Sequence, residues 1–115
     1  MVQHCLDAAD AVAAEGVSAE VIDLRTLRPL DRETILRSVA KTARALVVHE
    51  DNLTGGFGAE IAAIIAQEGF EQLDAPVTRV AAPDVPAMPF NHPQESAFLP
   101  DPEKIAAAMR ALAVY

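Results

Sequence analysis

From Val2 to Ala81 the chain alternates stretches of helical period with short apolar runs, and this alternation limits the fold more than any single motif. Val2, Cys5, Leu6, Ala9, Val12 and Ala13 recur at helical spacing, with Gly16 as a natural stop. Ala19–Leu24 reads as a short strand, and Arg25–Leu30 as a loop in which Pro29 excludes regular ladder bonding. Asp31 caps a second helix with Ile35, Leu36, Val39 and Ala40 on its apolar face. Ala45–His49 is the second strand. Phe57, Ile61, Ile64 and Ile65 mark a third helix that ends near Gly69, and Val77–Ala81 is the third strand. Pro83, Pro86, Pro89 and Pro93 impose an irregular segment to about Phe98. Pro102 opens a last helix that buries Ile105, Met109 and Leu112.

Strands alternating with helices predict an α/β fold, a three-layer α/β/α arrangement around a mostly parallel sheet. The pattern opens on a helix with no strand before it, so a βαβαβ order lacks its first strand. Three strands are few for a sheet covered on both faces. The chain therefore reads as one domain, residues 1–115, belonging to a longer protein. The absent strand predicts an exposed sheet edge, with self-association or marginal stability as the consequence.

Composition narrows the partners. Hydrophobic residues make up 51% of the chain, enough for a core built on alanine and aliphatic side chains. Asp and Glu number 17 against 9 Lys and Arg, a net charge of −8 that repels phosphate backbones and argues against nucleic acid. Cys5 is the single cysteine, so no internal disulfide forms, and a cytoplasmic location is the simplest expectation. No apolar run approaches the ~20 residues a membrane helix needs, so no membrane partner is expected.

The densest stretch is Ala45–Ile61. It runs through His49-Glu50 and then Thr54, Gly55, Gly56, Phe57 and Gly58 into a helix. A glycine turn between strand and helix can cradle phosphate on backbone N–H groups. This one lacks the Lys-Ser/Thr of a P-loop and the spacing of a dinucleotide fingerprint, and Glu50 and Asp51 add negative charge. The plainer reading is a tight turn and close helix packing. His49 and Glu50 have the types for acid–base work, but neighbours on a strand point to opposite faces. No spacing resembles a metal site, no Ser sits in a nucleophile elbow, and Cys5 lies on an apolar face. The residues alone nominate no catalytic, cofactor-binding or metal-binding group.

Several segments together resemble one family. They are Val21-Ile-Asp-Leu-Arg-Thr-Leu-Arg-Pro-Leu-Asp31, Ser38-Val-Ala-Lys-Thr42, Val47-Val-His-Glu50, Gly55-Gly-Phe-Gly-Ala-Glu-Ile61, Leu73-Asp-Ala-Pro-Val-Thr-Arg-Val80 and Glu95-Ser-Ala-Phe-Leu-Pro100. They cover essentially the whole chain, in order. They resemble the transketolase C-terminal domain family, in particular the beta subunit of thiamine-diphosphate-dependent 2-oxo-acid dehydrogenases.

The resemblance implies a non-catalytic assembly domain within an enzyme that uses thiamine diphosphate and magnesium, neither bound by this domain alone. It implies an alpha subunit and a second beta subunit as partners, and an acyltransferase core docked through its subunit-binding domain. It puts Asp74 and Tyr115 at the docking surface; His49, Glu50 and the Thr54–Gly58 turn, at the carboxyl end of a strand and without a ligand of their own, are expected at or near a subunit interface of the intact enzyme. His49-Glu50 with the glycine turn is similar to branched-chain members, whereas Ala81–Asp84 and Pro89-Phe90 are similar to pyruvate members. The family's domain begins with a strand just ahead of the first helix, which this chain lacks. The competing expectation is an autonomous small-molecule or nucleotide-binding module that uses the Thr54–Gly58 turn.

Overall fold

The computed structural model describes residues 1–86 and 88–115; Ala87, inside the proline-rich segment, lies outside the described residues. Five α-helices and two strands follow in the order α1 (Val2–Ala13), α2 (Arg32–Thr42), β1 (Leu46–Asn52), α3 (Gly58–Glu68), β2 (Thr78–Ala82), α4 (His92–Phe98) and α5 (Pro102–Ala113). A 3-10 turn at Phe70–Gln72 links α3 to β2.

β1 and β2 are parallel, with Leu46 opposite Thr78 and Val48 opposite Val80 and an irregularity between Val48 and Asn52. Side chains alternate across the pleat, so each strand feeds two cores. Leu46, Val48 and Val80 pack against Ala8, Val12, Ile105 and Ala106, from α1 and α5. Ala45, Val47 and Val77 pack against Ile35, Val39, Ile61 and Ile65, from α2 and α3. The expected three-layer α/β/α order follows directly from this alternation.

Caps set the helix boundaries. The carboxylates of Asp31 and Asp101 accept from the backbone N–H groups of Thr34 and Lys104, at 3.0 and 2.8 Å. These bonds hold both carboxyl groups below the usual carboxylate range, the backbone donor being the main cause in each.

The structure corrects three expectations. Ala19–Leu24 is extended but is not a ladder strand: among the described residues, no backbone–backbone hydrogen bond involves residues 18–23. Its sequence suits a strand, but no neighbour lies within bonding distance, and the sheet has two strands instead of three. The segment expected to be irregular up to Phe98 contains α4, started by the Asn91 side chain accepting from the Gln94 N–H, with Pro93 in the first turn, where its missing donor costs nothing. α1 is rotated relative to the sequence expectation: Ala8 and Val12 are buried, whereas Val2, Leu6 and Ala13 are exposed. Ala40 is likewise exposed on α2. Period alone cannot choose between adjacent apolar stripes when a small residue such as Ala8 permits the closer approach. Cys5 does lie on the apolar face, half-buried against the Ala8, Val12 and Ile105 cluster, and desolvation raises its thiol pKa, which keeps it protonated and unreactive.

Candidate functional site: the carboxyl rim of the sheet

β1 delivers His49 and Glu50 to the carboxyl rim, and the pleat separates them. Glu50 is exposed, while His49 turns toward α3. The imidazole lies over Gly56 and Gly58. A β-carbon on Gly58 would overlap the ring, and one on Gly56 would meet its Cε1 at 2.7 Å and the Asn52 carbonyl as well. The two glycines are therefore the complement of His49, which the strand–turn–helix spacing brings together. Gly55 has a different role, with φ of 77° at the bend.

Packed this way, both ring nitrogens of His49 are shielded and have no hydrogen-bond partner among the described residues. Desolvation pushes its pKa below the ordinary imidazole value, only partly opposed by Asp51, while Arg79 adds to the depression. The sign is fixed by linkage. The unfolded chain binds the proton more readily than the folded one, so stability is full above the unfolded value of about 6.5 and is lost as pH falls through the lower folded value. Urea denaturation between pH 7 and 5 should show declining stability, and His49→Gln should lose most of that decline. An unchanged pH dependence in the variant would reassign it to other groups.

Three hydrogen bonds tie the rim loops together. Thr54 donates to Asp84 from both its N–H and its hydroxyl, at 2.9 and 2.6 Å. The Arg79 guanidinium donates to the Leu53 carbonyl at 2.7 Å. The Thr54 hydroxyl, followed by its N–H, holds the Asp84 carboxyl below its usual range. Sequence reasoning singled out Thr54 but missed Asp84 and Arg79. The available signal was that Thr54 and Asp84 each stand two residues beyond a strand, which in parallel neighbours puts them side by side.

Part of the turn's donor capacity is already used. The Thr54 N–H is bound to Asp84, and Ala59 and Glu60 donate to the carbonyls of Gly56 and Phe57. Glu50, Asp51, Glu60 and Asp84 outnumber Arg28 and Arg79 at this end, which disfavours an anion. Among the described residues, no group of three or more His, Cys, Asp or Glu could hold a metal, and no helix is long and apolar enough to cross a membrane.

The rim instead presents apolar surface. Leu27, Leu53, Phe57 and Val85 are exposed, and each follows the carboxyl end of an extended segment or lies in the turn beyond it. Leu27 and Phe57 line one cleft together with Gly55, Gly56 and Arg28. Neighbouring exposed apolar residues such as these mark a contact surface better than isolated ones do.

The docking candidates occupy the opposite end. The Asp74 N–H donates to the Ala43 carbonyl at 2.8 Å, and Arg44 Nε donates to the Leu112 carbonyl at 2.9 Å, near the end of α5. Asp74 and Tyr115, both exposed, thus share the amino-terminal end of the sheet, far from His49 and the glycine turn.

Residues 1–105 match the family model "Transketolase, C-terminal domain". The chain is 45% identical over 114 residues to 2-oxoisovalerate dehydrogenase subunit beta of Bacillus subtilis, covering 99% of this chain and 35% of that one. It is 49% identical over 110 residues to pyruvate dehydrogenase E1 component subunit beta-1, mitochondrial, of Arabidopsis thaliana, covering 96% of this chain and 30% of that one. The chain thus spans about a third of the length of these relatives. A solved structure described as "Split gene transketolase, inactive beta4 tetramer" superposes with a TM-score of 0.76 at 23% identity, over 98% of this chain and 36% of that one, a likeness of fold. The chain belongs to the transketolase C-terminal domain family.

Proposed function

We propose that this chain is the non-catalytic assembly domain of the beta subunit of a 2-oxo-acid dehydrogenase first component. The observation that carries the reading is the 45% identity, over 99% of the chain, to a 2-oxoisovalerate dehydrogenase subunit beta. Relatives named for pyruvate match at similar identity, so the oxo acid is left as either class. The oxidative decarboxylation, with its thiamine diphosphate and magnesium, belongs to the intact enzyme, and the cytoplasm is the compartment proposed with it.

In this reading the carboxyl rim meets the alpha subunit and a second beta subunit. Phe57, Leu27 and Leu53 supply apolar contact, and His49 with Gly56 and Gly58 sets the shape of the turn that presents them. Fully burying one such side chain is worth roughly 1.5–3 kcal/mol, an upper value for a surface already partly covered. The far end, with Asp74 and Tyr115, receives the basic subunit-binding domain of an acyltransferase through charge-assisted bonds.

Two experiments test this. Titration calorimetry of the chain with thiamine diphosphate and magnesium should give no binding tighter than ~100 μM, about −5.5 kcal/mol. A tighter constant would make the domain a cofactor site. In the intact enzyme, Asp74→Ala and deletion of Tyr115 should each weaken acyltransferase docking roughly ten-fold or more and flatten its salt dependence. Unchanged affinity and salt dependence in both would remove the docking assignment.

A further inference from the structure

The Leu27–Leu30 stretch and the first turns of α3 enclose a cleft of about 850 Å³. Its walls are largely apolar, with Leu27, Pro29 and Leu30 on one side and Phe57 and Ile64 on the other. Gly55 adds no side chain to fill it, and a β-carbon there would meet nothing within 4 Å. The loop is held in shape. The Thr26 hydroxyl donates to the Pro29 carbonyl at 2.8 Å, and the Arg32 N–H donates to the Leu30 carbonyl at 3.0 Å.

One charge at this cleft is unanswered. Of the nine Lys and Arg side chains, eight make an ion pair or a hydrogen bond among the described residues, and Arg28 makes neither. With 17 acidic residues against 9 basic ones, carboxylates are in surplus, yet no described one pairs with this guanidinium. The carboxylates nearest in sequence are engaged elsewhere, Asp23 with Arg25 and Asp31 with the Thr34 N–H and hydroxyl. Glu60 lines the same cleft and forms no ion pair with Arg28.

We infer that this cleft takes one segment of the alpha subunit, in which a large apolar side chain fills the cleft and a neighbouring Asp or Glu pairs with Arg28. The inference rests on the assembly role proposed above and names the contact made at the rim. A guanidinium and a carboxylate can form two parallel bonds, which orient the segment as well as hold it. The tied loop leaves little to be ordered on binding. The acidic surroundings that disfavour a free anion do not bar a single carboxylate carried in on an apolar anchor. Leu27 and Phe57, exposed at the edges of the cleft, belong to the apolar rim assigned to that partner.

Other occupants fit less well. A small acidic metabolite needs several converging polar groups, whereas Arg32 is held by Glu68, which leaves Arg28 beside Glu60. A two-fold contact with another beta subunit, centred here, would set Arg28 against Arg28. Phe70 and Glu71, both exposed, do offer the right chemistry within this chain. They follow the far end of α3, so a second copy would add head to tail, against the repulsion of −8 on each.

The test uses a 2-oxoisovalerate dehydrogenase beta subunit whose matching third is this chain, titrated with its alpha subunit. Arg28→Gln should weaken alpha-subunit binding roughly ten-fold or more and flatten its salt dependence. Arg28→Lys should restore part of the loss, since it keeps the charge but not the paired geometry. Arg37→Gln removes the same charge from the exposed face of α2, where Arg37 pairs with Glu33, and should change little. Benzoylphenylalanine in place of Leu27 should, on irradiation, cross-link to one alpha-subunit peptide that carries Asp or Glu beside a large apolar residue. Urea denaturation checks that each variant folds. Equal binding of the Arg28→Gln and Arg37→Gln variants, or cross-linking to a beta subunit or to a segment without a carboxylate, would overturn the inference and leave the assembly role standing. A hybrid that binds no alpha subunit in any form would overturn both.

Discussion

Gly56→Val is expected to destabilise the domain by about 3 kcal/mol or more and to abolish assembly into the enzyme. A β-carbon there collides with the Asn52 carbonyl, which is backbone and cannot swing aside, and also with the His49 ring. Either the turn or the end of β1 must move, and both carry the rim. Against a total stability of ~5–15 kcal/mol, such a loss is large. Gly58→Ala is the informative companion, because its collision is with the His49 side chain alone among the close neighbours. Ala in a helix is normally favoured over Gly by ~0.5–1 kcal/mol, so a net loss of about 1–3 kcal/mol would show that the clash wins. His49→Ala should rescue Gly58→Ala and leave Gly56→Val impaired. Urea denaturation of the three single variants and the two doubles, as double-mutant cycles, checks this. If His49→Ala fails to rescue Gly58→Ala, the ring and the glycine are not complements.

Ile105→Ala should cost about 2–5 kcal/mol, the other large effect. Ile105 is fully buried at the centre of the α1–α5 face, with Ala8, Val12 and Ala106 around it. These small and β-branched neighbours have little freedom to collapse into the space left behind, which favours the upper part of the range. Ile105→Val should cost ~0.5–1.5 kcal/mol, because most of the volume remains. The Glu15–Arg110 ion pair ties the turn just after α1 to α5 with bonds of 2.7 and 2.6 Å, but it is exposed, so Arg110→Ala should matter far less. Denaturation midpoints at constant slope separate the three. A larger loss from Arg110→Ala than from Ile105→Ala would contradict a packing origin for the α1–α5 contact.

Much of the layer order was legible because its signals are local. Asp31 before Ile35 and Val39 announces a capped helix, and Leu46–Val48 announces a buried strand. Ala19–Leu24 was misread for a non-local reason: strand propensity does not supply a ladder partner, and its neighbour in space is a groove. The choice of Ala8 over Leu6 as the buried residue depends on how closely α5 approaches, which no period reveals. At the rim, the three glycines suggested a tight turn. That Gly56 and Gly58 are shaped to His49 required the pleat to turn His49 toward α3. Thr54 with Asp84 joins residues 30 apart, visible only once β1 and β2 are parallel neighbours.

The assembly role is tested most directly by exchange. The matching third of a 2-oxoisovalerate dehydrogenase beta subunit is replaced by this chain, and the hybrid is co-expressed with its alpha subunit. Sedimentation should then show an alpha–beta assembly of normal size that decarboxylates 2-oxoisovalerate, and introducing Gly56→Val into the hybrid should disperse it. A hybrid that assembles no better than a beta subunit lacking this third would contradict the role.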